Sequence, residues 1–440
     1  MTDTEWIGET FTSDAGWALL ERLVDLDHRM AGSAGERAAA EATRDALADH
    51  AADARLETFD VQGWERGDSR LSAADGAVAT ADHEVIALPR SPAAEASGEL
   101  VDLGYGLPED FEAADCEGRV VMARSDVPDW YERYIHRREK YYHAVEAGAA
   151  AFVYRNHVEG MLPPTGSVGT ADDPVGEIPA VGVASETGAR LARRHGGDDL
   201  TVAVDCETPA ATSQNAHAEL GPETDERVLV TSHVDAHDIA EGAMDNGAGT
   251  AAVVEVAKAL AGREGDLSTR VEFVAFGAEE VGLVGSGRLA DARDHDEIRA
   301  ILNLDGIVRG RTLKLFTHGS DALGETCEAV ADRLGHPVTV SPEQSPHSDH
   351  WPFAQWGVPA VHAMSETGDD GRGWGHTHAD TLDKVDRRTL REQVVLLTEL
   401  AVELTRREYE HADPNEVAAA LEAEGVAEGM RITGDWPYDD

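Results

Sequence analysis

Histidine and carboxylate residues recur between positions 232 and 381, mostly where an apolar run ends. Ser232-His233-Val234-Asp235 closes one run, and Met244-Asp245-Asn246-Gly247 follows after a short loop. Phe276-Gly277-Ala278-Glu279-Glu280 closes a second run and Asn303-Leu304-Asp305-Gly306 a third. His376-Thr377-His378-Ala379-Asp380-Thr381 stands in a later loop. Imidazole and carboxylate are the ligands zinc accepts, and a glutamate beside a ligand is the residue type that moves a proton to or from water. One His-x-Asp or Glu-Glu pair alone carries little weight, because most such charges are solvated. Five such strings together supply enough ligands for two ions.

The strings need a scaffold that brings the run ends to one rim. From residue 227 the chain alternates in pattern, with strands expected over 227–232, 270–276, 299–304, 312–316 and 358–363. Helices are expected near 247–260, 283–292, 321–334 and 386–407. This predicts an α/β fold: a mixed, mostly parallel sheet with helices on both faces. In such sheets, sites form at the carboxyl ends of the strands. An earlier block has its own alternation, with short strands near 100–103, 119–123, 149–154 and 178–183. Helices are expected there over 130–147 and from 185, so a smaller α/β module is inserted. Residues 14–50 are helical in pattern, broken at Gly32-Ser33-Ala34-Gly35, and 61–97 reads as short strands and turns. The expected organisation is an N-terminal helical part of the catalytic domain (1–65), the insert (66–206), the main catalytic part (207–411) and a peripheral acidic tail (412–440).

The motifs resemble those of the co-catalytic zinc aminopeptidases that share a fold with glutamate carboxypeptidase. The resemblance rests on Ser232 to Asp235, Gly242 to Gly247, Gly277 to Glu280 continuing to Gly282-Leu283-Val284-Gly285-Ser286, Asn303 to Gly306, Ser348-Asp349-His350 and His376 to Thr381. It implies two zinc ions, with cobalt or manganese as substitutes. His233 and Asp305 would hold one ion, Glu280 and His376 the other, and Asp245 would bridge them. Glu279 would be the general base, and Asp235 would accept from the His233 ring and fix it. The implied activity is hydrolysis of N-terminal residues from peptides by a two-zinc-activated water. A carboxypeptidase or amidohydrolase on the same scaffold, or a non-catalytic peptide-binding relative, are the alternatives.

One position departs from that pattern. Many members carry Tyr immediately before the last ligand His, where its hydroxyl helps to stabilise the tetrahedral oxyanion. Here the residue is Gly375, preceded by Trp374. Such a donor is worth about 100-fold or more in rate. His347, His350 and His378 are the candidate replacements, and Asp349 and His350 are candidate substrate contacts. The insert in turn resembles a protease-associated (PA) domain through Gly118 to Met122, Ala147 to Val153 and Ile178 to Val183. Arg29-Met30-Ala31-Gly32-Ser33 with Gly35-Glu36 resembles the segment that precedes such a domain in these peptidases.

Charge narrows the partners. Against 85 Asp+Glu the chain has 37 Lys+Arg, a formal charge of −48, and its only lysines are Lys140, Lys258, Lys314 and Lys384. Such a surface repels phosphate backbones and anionic lipid, so the expected partner is a peptide, with neither nucleic acid nor membrane. The composition resembles proteins of salt-accumulating archaea. In molar salt the Debye length falls to about 3 Å and carboxylate self-repulsion fades. No leader and no long apolar span are visible, so the cytoplasm is the expected location. Oligomeric state leaves no signal. Cys116, Cys206 and Cys327 suit neither a disulfide framework nor a metal knuckle. His237, His318 and His362 are expected to be ordinary solvated or hydrogen-bonded histidines. Trp130, Tyr131, Tyr134, Tyr141 and Tyr142 are expected to pack within the insert.

Overall fold

The computed structural model describes residues 4–170, 173–367 and 373–438; the outermost ends of the expected N-terminal segment and tail, 1–3 and 439–440, lie outside them. Among the described residues, two eight-stranded sheets organise the fold. In the first, Arg270–Phe276, Arg227–His233, Ile298–Leu304 and Ala360–Ser365 run parallel side by side. Leu313–Phe316 and Val338–Ser341 extend one edge, the former antiparallel to Ala360–Ser365. Ala52–Gln62 and Ala210–Leu220 extend the other edge as an antiparallel pair.

Alternation along the central strands divides the core. Val228 and Val230 join the cluster that includes Phe273 and Leu302. It also takes in helices Ala15–Val24, Ala34–Ala48, Ala248–Ala261 and Arg387–Arg406. Leu229, Val274 and Ile301 join a second cluster with helix Val284–Ala292. Successive side chains point to opposite faces of a strand, so the sheet is covered on both sides.

Strand Ala210–Leu220 was not anticipated, because it reads as small and polar. Its Ser213, Gln214, Asn215 and His217 are nonetheless almost wholly buried. Hydrogen bonds meet several of their polar groups: Ser213 donates to Glu36, Asn215 donates to the Gly285 carbonyl, and His217 contacts Glu272.

The chain leaves the first sheet after Gln62, enters the second at Glu65, and returns from Glu207 to Ala210. The second sheet runs in the order Gly76–Ala79, Glu65–Ala73, Asp199–Glu207, Ala94–Asp102, Val120–Arg124, Ala151–Arg155, Ala180–Val183, Val85–Ala87. The helix expected over 130–147 begins only at Arg137. His136 is extended, and its ring Nδ1 accepts the Arg138 N–H at 3.3 Å, which caps the helix and ends the preceding loop. Tyr141 and Tyr142 pack in the insert's core as expected, whereas Trp130 and Tyr134 stand 71% and 53% exposed on that loop.

The tail folds into helices Pro414–Ala423 and Val426–Ile432, with Val417, Leu421 and Met430 buried against the first sheet's second face. It also reaches the insert: Asp435 pairs with Arg138, and Glu428 lies 3.6 Å from Arg133. The tail is therefore a strap between the two sheets rather than a peripheral appendage. All three cysteines are free. Among the described residues no helix is long and apolar enough to cross a membrane.

Candidate metal centre

The strand ends deliver the expected side chains to one place. His233 is the last residue of its strand, Glu279 and Glu280 follow Phe276, and Asp305 follows Leu304. Asp245 sits in the turn Ala243–Gly247 that opens helix Ala248–Ala261. Its two oxygens divide between two groups. Oδ1 lies 3.4 Å from His233 Nε2, and Oδ2 lies 3.4 Å from His376 Nε2. His233 Nε2 is also 3.7 Å from Asp305 Oδ1, and His376 Nε2 is 3.1 Å from Glu280 Oε2. His233, Asp245 and Asp305 form one cluster with ligand geometry, and His237, Glu280 and His376 form another.

Both clusters fit a cation. His237 Nδ1 and Glu280 Oε1 are buried and without a hydrogen-bond partner, while His233 Nε2 and His237 Nε2 meet carboxylate oxygens at 3.4 and 2.9 Å. A buried polar atom left unpaired costs on the order of 1–3 kcal/mol. Several at one point, of the ligand types zinc takes, are what a metal site requires.

The backbone around the clusters is held by groups from distant parts of the chain. The Asp235 oxygens accept the N–H groups of Glu279 and Glu280, each at 3.1 Å. His233 Nδ1 lies 3.2 Å from the Asp235 carbonyl and 3.6 Å from its carboxylate. Asp235 thus orients the Glu-Glu pair as directly as it does the His233 ring for which it was expected. Asp380 accepts from the N–H groups of Met244 and Asp245 at 2.7 and 3.0 Å. Asp305 accepts from Ser348 Oγ at 2.8 Å, and Ser348 in turn accepts from Asn303 Nδ2 at 2.8 Å. Arg29, buried, donates to the carbonyls of Val234, Glu241 and Gly242 at 3.0, 2.6 and 2.9 Å. These anchors tolerate unusual backbone: Ala278 and His376 both adopt φ 57°, a region costly for residues with a Cβ. A Cβ on Gly285 would come within 2.4 Å of the Gly277 carbonyl oxygen, so only glycine lets helix Val284–Ala292 start this close to the strand end.

Charge is concentrated here. Arg309 donates to Asp245 Oδ2 at 2.6 Å. Burial, followed by the carboxylates of Glu280, Asp349 and Asp305, pushes Glu279 well above the ordinary carboxyl range, while His233 opposes that rise. Burial likewise pushes Asp349 up to about 8, with His233 and the Ser286 hydroxyl holding it back.

Residues 215–401 match the family model "Peptidase family M28" and residues 96–191 match "PA domain". Residues 215–401 thus carry a peptidase family M28 domain. Aminopeptidase YwaD of Bacillus subtilis (strain 168) is 27% identical over 402 residues, 86% of this chain and 82% of the relative. The structure of BSAP, a zinc aminopeptidase from Bacillus subtilis, superposes with a TM-score of 0.69 at 25% identity, covering 90% of this chain and 96% of that one. A peptidase M28 precursor from Shewanella amazonensis shares the fold, with a TM-score of 0.74 at 23% identity over 93% of this chain and 97% of that one.

In this zinc metallopeptidase the ligand cluster opens into a cavity lined by Asp245, Glu279, Glu280, Asp305 and His376. His347 lines it as well, and so do His136, Arg137, Arg138 and Ser167 of the insert. The His136 and His347 rings stack at 4.9 Å and 16°. Of the three candidate replacements for the missing tyrosine, only His347 reaches this cavity. His350 is fully buried between His318 and His362, at centroid distances of 4.7 and 4.6 Å, and His378 is exposed. Asp349 is also fully buried, outside the residues that line the cavity. His362 is buried with its Nδ1 3.1 Å from Ser345 Oγ, in keeping with a hydrogen-bonded histidine, whereas His237 is buried and joins the ligand clusters. A sixth imidazole or carboxylate at His237 was legible as type and spacing, four residues after His233, but nothing in the sequence set it apart from the other histidines.

Proposed function

We propose that this chain is a zinc-dependent aminopeptidase that removes N-terminal residues from peptides. The observation that carries the reading is the division of the Asp245 carboxylate between two ligand clusters, with Glu279 on the wall of the same cavity. His233 and Asp305 with Asp245 would hold one ion, and Glu280 and His376 with Asp245 a second. Zinc, when bound, supplies a Lewis acid for the scissile carbonyl and eases the ionisation of water.

The chain's own residues do the rest. Glu279 takes the proton of the attacking water at its carboxylate and returns it to the leaving amine nitrogen. Asp235, through the N–H groups of Glu279 and Glu280, keeps base and ligand in fixed register. His347, which lines the cavity, would donate to the developing oxyanion where Gly375 offers no side chain. The insert closes the far wall of the cleft through His136 and Arg137.

Arg137 and Arg138 favour a second reading. A carboxypeptidase needs cations for the substrate's free carboxylate, and these two arginines line the metal cavity. Zinc analysis combined with hydrolysis assays before and after chelation tests the metal-dependent reading. Two zinc ions per chain and activity lost on chelation and regained with zinc support it; undiminished hydrolysis by metal-free protein contradicts it.

A further inference from the structure

His237 lies apart from the five ligands that the resemblance assigns, yet it shares their surroundings. His237 is 5% exposed, and its buried Nδ1 has no hydrogen-bond partner. Nε2 lies 2.9 Å from Glu280 Oε2, the oxygen that also has His376 Nε2 at 3.1 Å. The His237 and His376 rings meet edge to face at 4.6 Å, so two imidazole nitrogens and one carboxylate oxygen converge on a point. The neighbouring backbone is fixed from the insert. Arg66 clamps Asp238 with two hydrogen bonds of 2.8 and 2.6 Å, so the ring is held next to the cluster by the residue that follows it.

We propose that His237 is a sixth protein ligand of the metal centre, completing the cluster of Glu280 and His376. The assignment rests on the two-ion reading above and adds an asymmetry to it. One ion would be held by two imidazoles and a carboxylate besides Asp245, and the other by one imidazole and a carboxylate besides Asp245. Imidazole-rich sets favour zinc, cobalt, nickel and copper, whereas oxygen-rich sets accept manganese. The His237 position therefore binds zinc or cobalt first and more tightly, and manganese competes only at the His233 position.

The rival role for His237 is to donate a hydrogen bond to Glu280 from outside the coordination shell. Partners that only orient a ligand are worth about 10–100-fold in metal affinity. The test is to titrate metal-free parent protein, H237Q and H237A with Co2+, following visible absorption and calorimetry together. The parent should bind two ions with unequal affinity. In either variant the tighter site should weaken by more than 100-fold and its absorption band should change. The weaker site should be preserved, which also reports an intact fold. Imidazole added to H237A should restore the band. A parent-like band with affinity within 100-fold of the parent overturns the assignment and leaves the two-ion reading standing. A parent that binds no second ion overturns both.

Discussion

The Glu36 carboxylate accepts the backbone N–H of Ala278 at 3.0 Å, so a residue near the start of the chain sets the turn that carries Glu279 and Glu280. Its oxygens also accept from Ser213 Oγ at 2.6 Å and from Gly32 N at 2.7 Å. Glu36 is fully buried, and glutamine there would turn an amide N–H₂ towards donors already in place. Glu36→Gln should therefore cost about 1–3 kcal/mol of stability. It should also lower turnover, because the displaced turn carries both base and ligand. Urea unfolding and steady-state kinetics on one preparation check this; parent values in both would contradict it.

Glu279 and Asp245 separate chemistry from metal binding. Glu279→Gln should retain both metals and lose about 100- to 10,000-fold in kcat, the range for a general base. Asp245→Ala should lose metal occupancy as well, since its two oxygens face both clusters. Metal analysis beside kinetics distinguishes the two. Normal turnover in Glu279→Gln would remove the mechanism.

His347→Phe preserves a ring against His136 while removing the donor. The expected result is a loss of about 100-fold in kcat with KM and metal content little changed. A rise in KM alone would make His347 a substrate contact instead.

Much of the site was legible because its ligands sit at strand ends, where short apolar runs stop and chemistry begins. The parallel core of the first sheet could be read for the same reason. Strand Ala210–Leu220 could not, since its burial depends on polar partners such as Glu36 and Glu272 that lie far off in the chain. The anchoring by Arg29 and Glu36 was visible only as a resemblance in the string Arg29 to Glu36. Apart from the Ser213 hydroxyl on Glu36, its hydrogen bonds go to backbone atoms, which leave no trace in residue types. His136 was hidden by a helix expected to begin several residues too early. Its capping hydrogen bond ends the loop that carries it over the cleft.

A second buried network gives the pH dependence. Glu272 has a wholly buried side chain that faces His217, Arg293 and Arg227. Burial alone would raise its pKa, but the His217 hydrogen bond and the arginines outweigh that and bring it down to about 2. A carboxyl depressed on folding stabilises the protein above its unfolded value of 4.5 and loses that contribution as pH falls towards 2. The shift corresponds to about 3 kcal/mol. His217 is raised, with hydrogen bonds to Glu272 and Glu57 outweighing burial, so its contribution is present at low pH and fades as pH rises through its folded value. Parent protein should lose stability between pH 4.5 and about 2, and Glu272→Gln should flatten that slope while lowering stability near pH 6. Parallel stability curves for the two proteins would contradict the assignment.

The most direct measurement is a mass-spectrometric time course on short peptides, some N-terminally blocked and some C-terminally amidated, at salt on the order of 1–3 M, where surface charge is screened. Stepwise, chelator-sensitive loss of residues from free N-termini, with blocked peptides left whole, is the predicted result. Trimming of blocked peptides from their C-termini, or cleavage that survives chelation, would contradict the account.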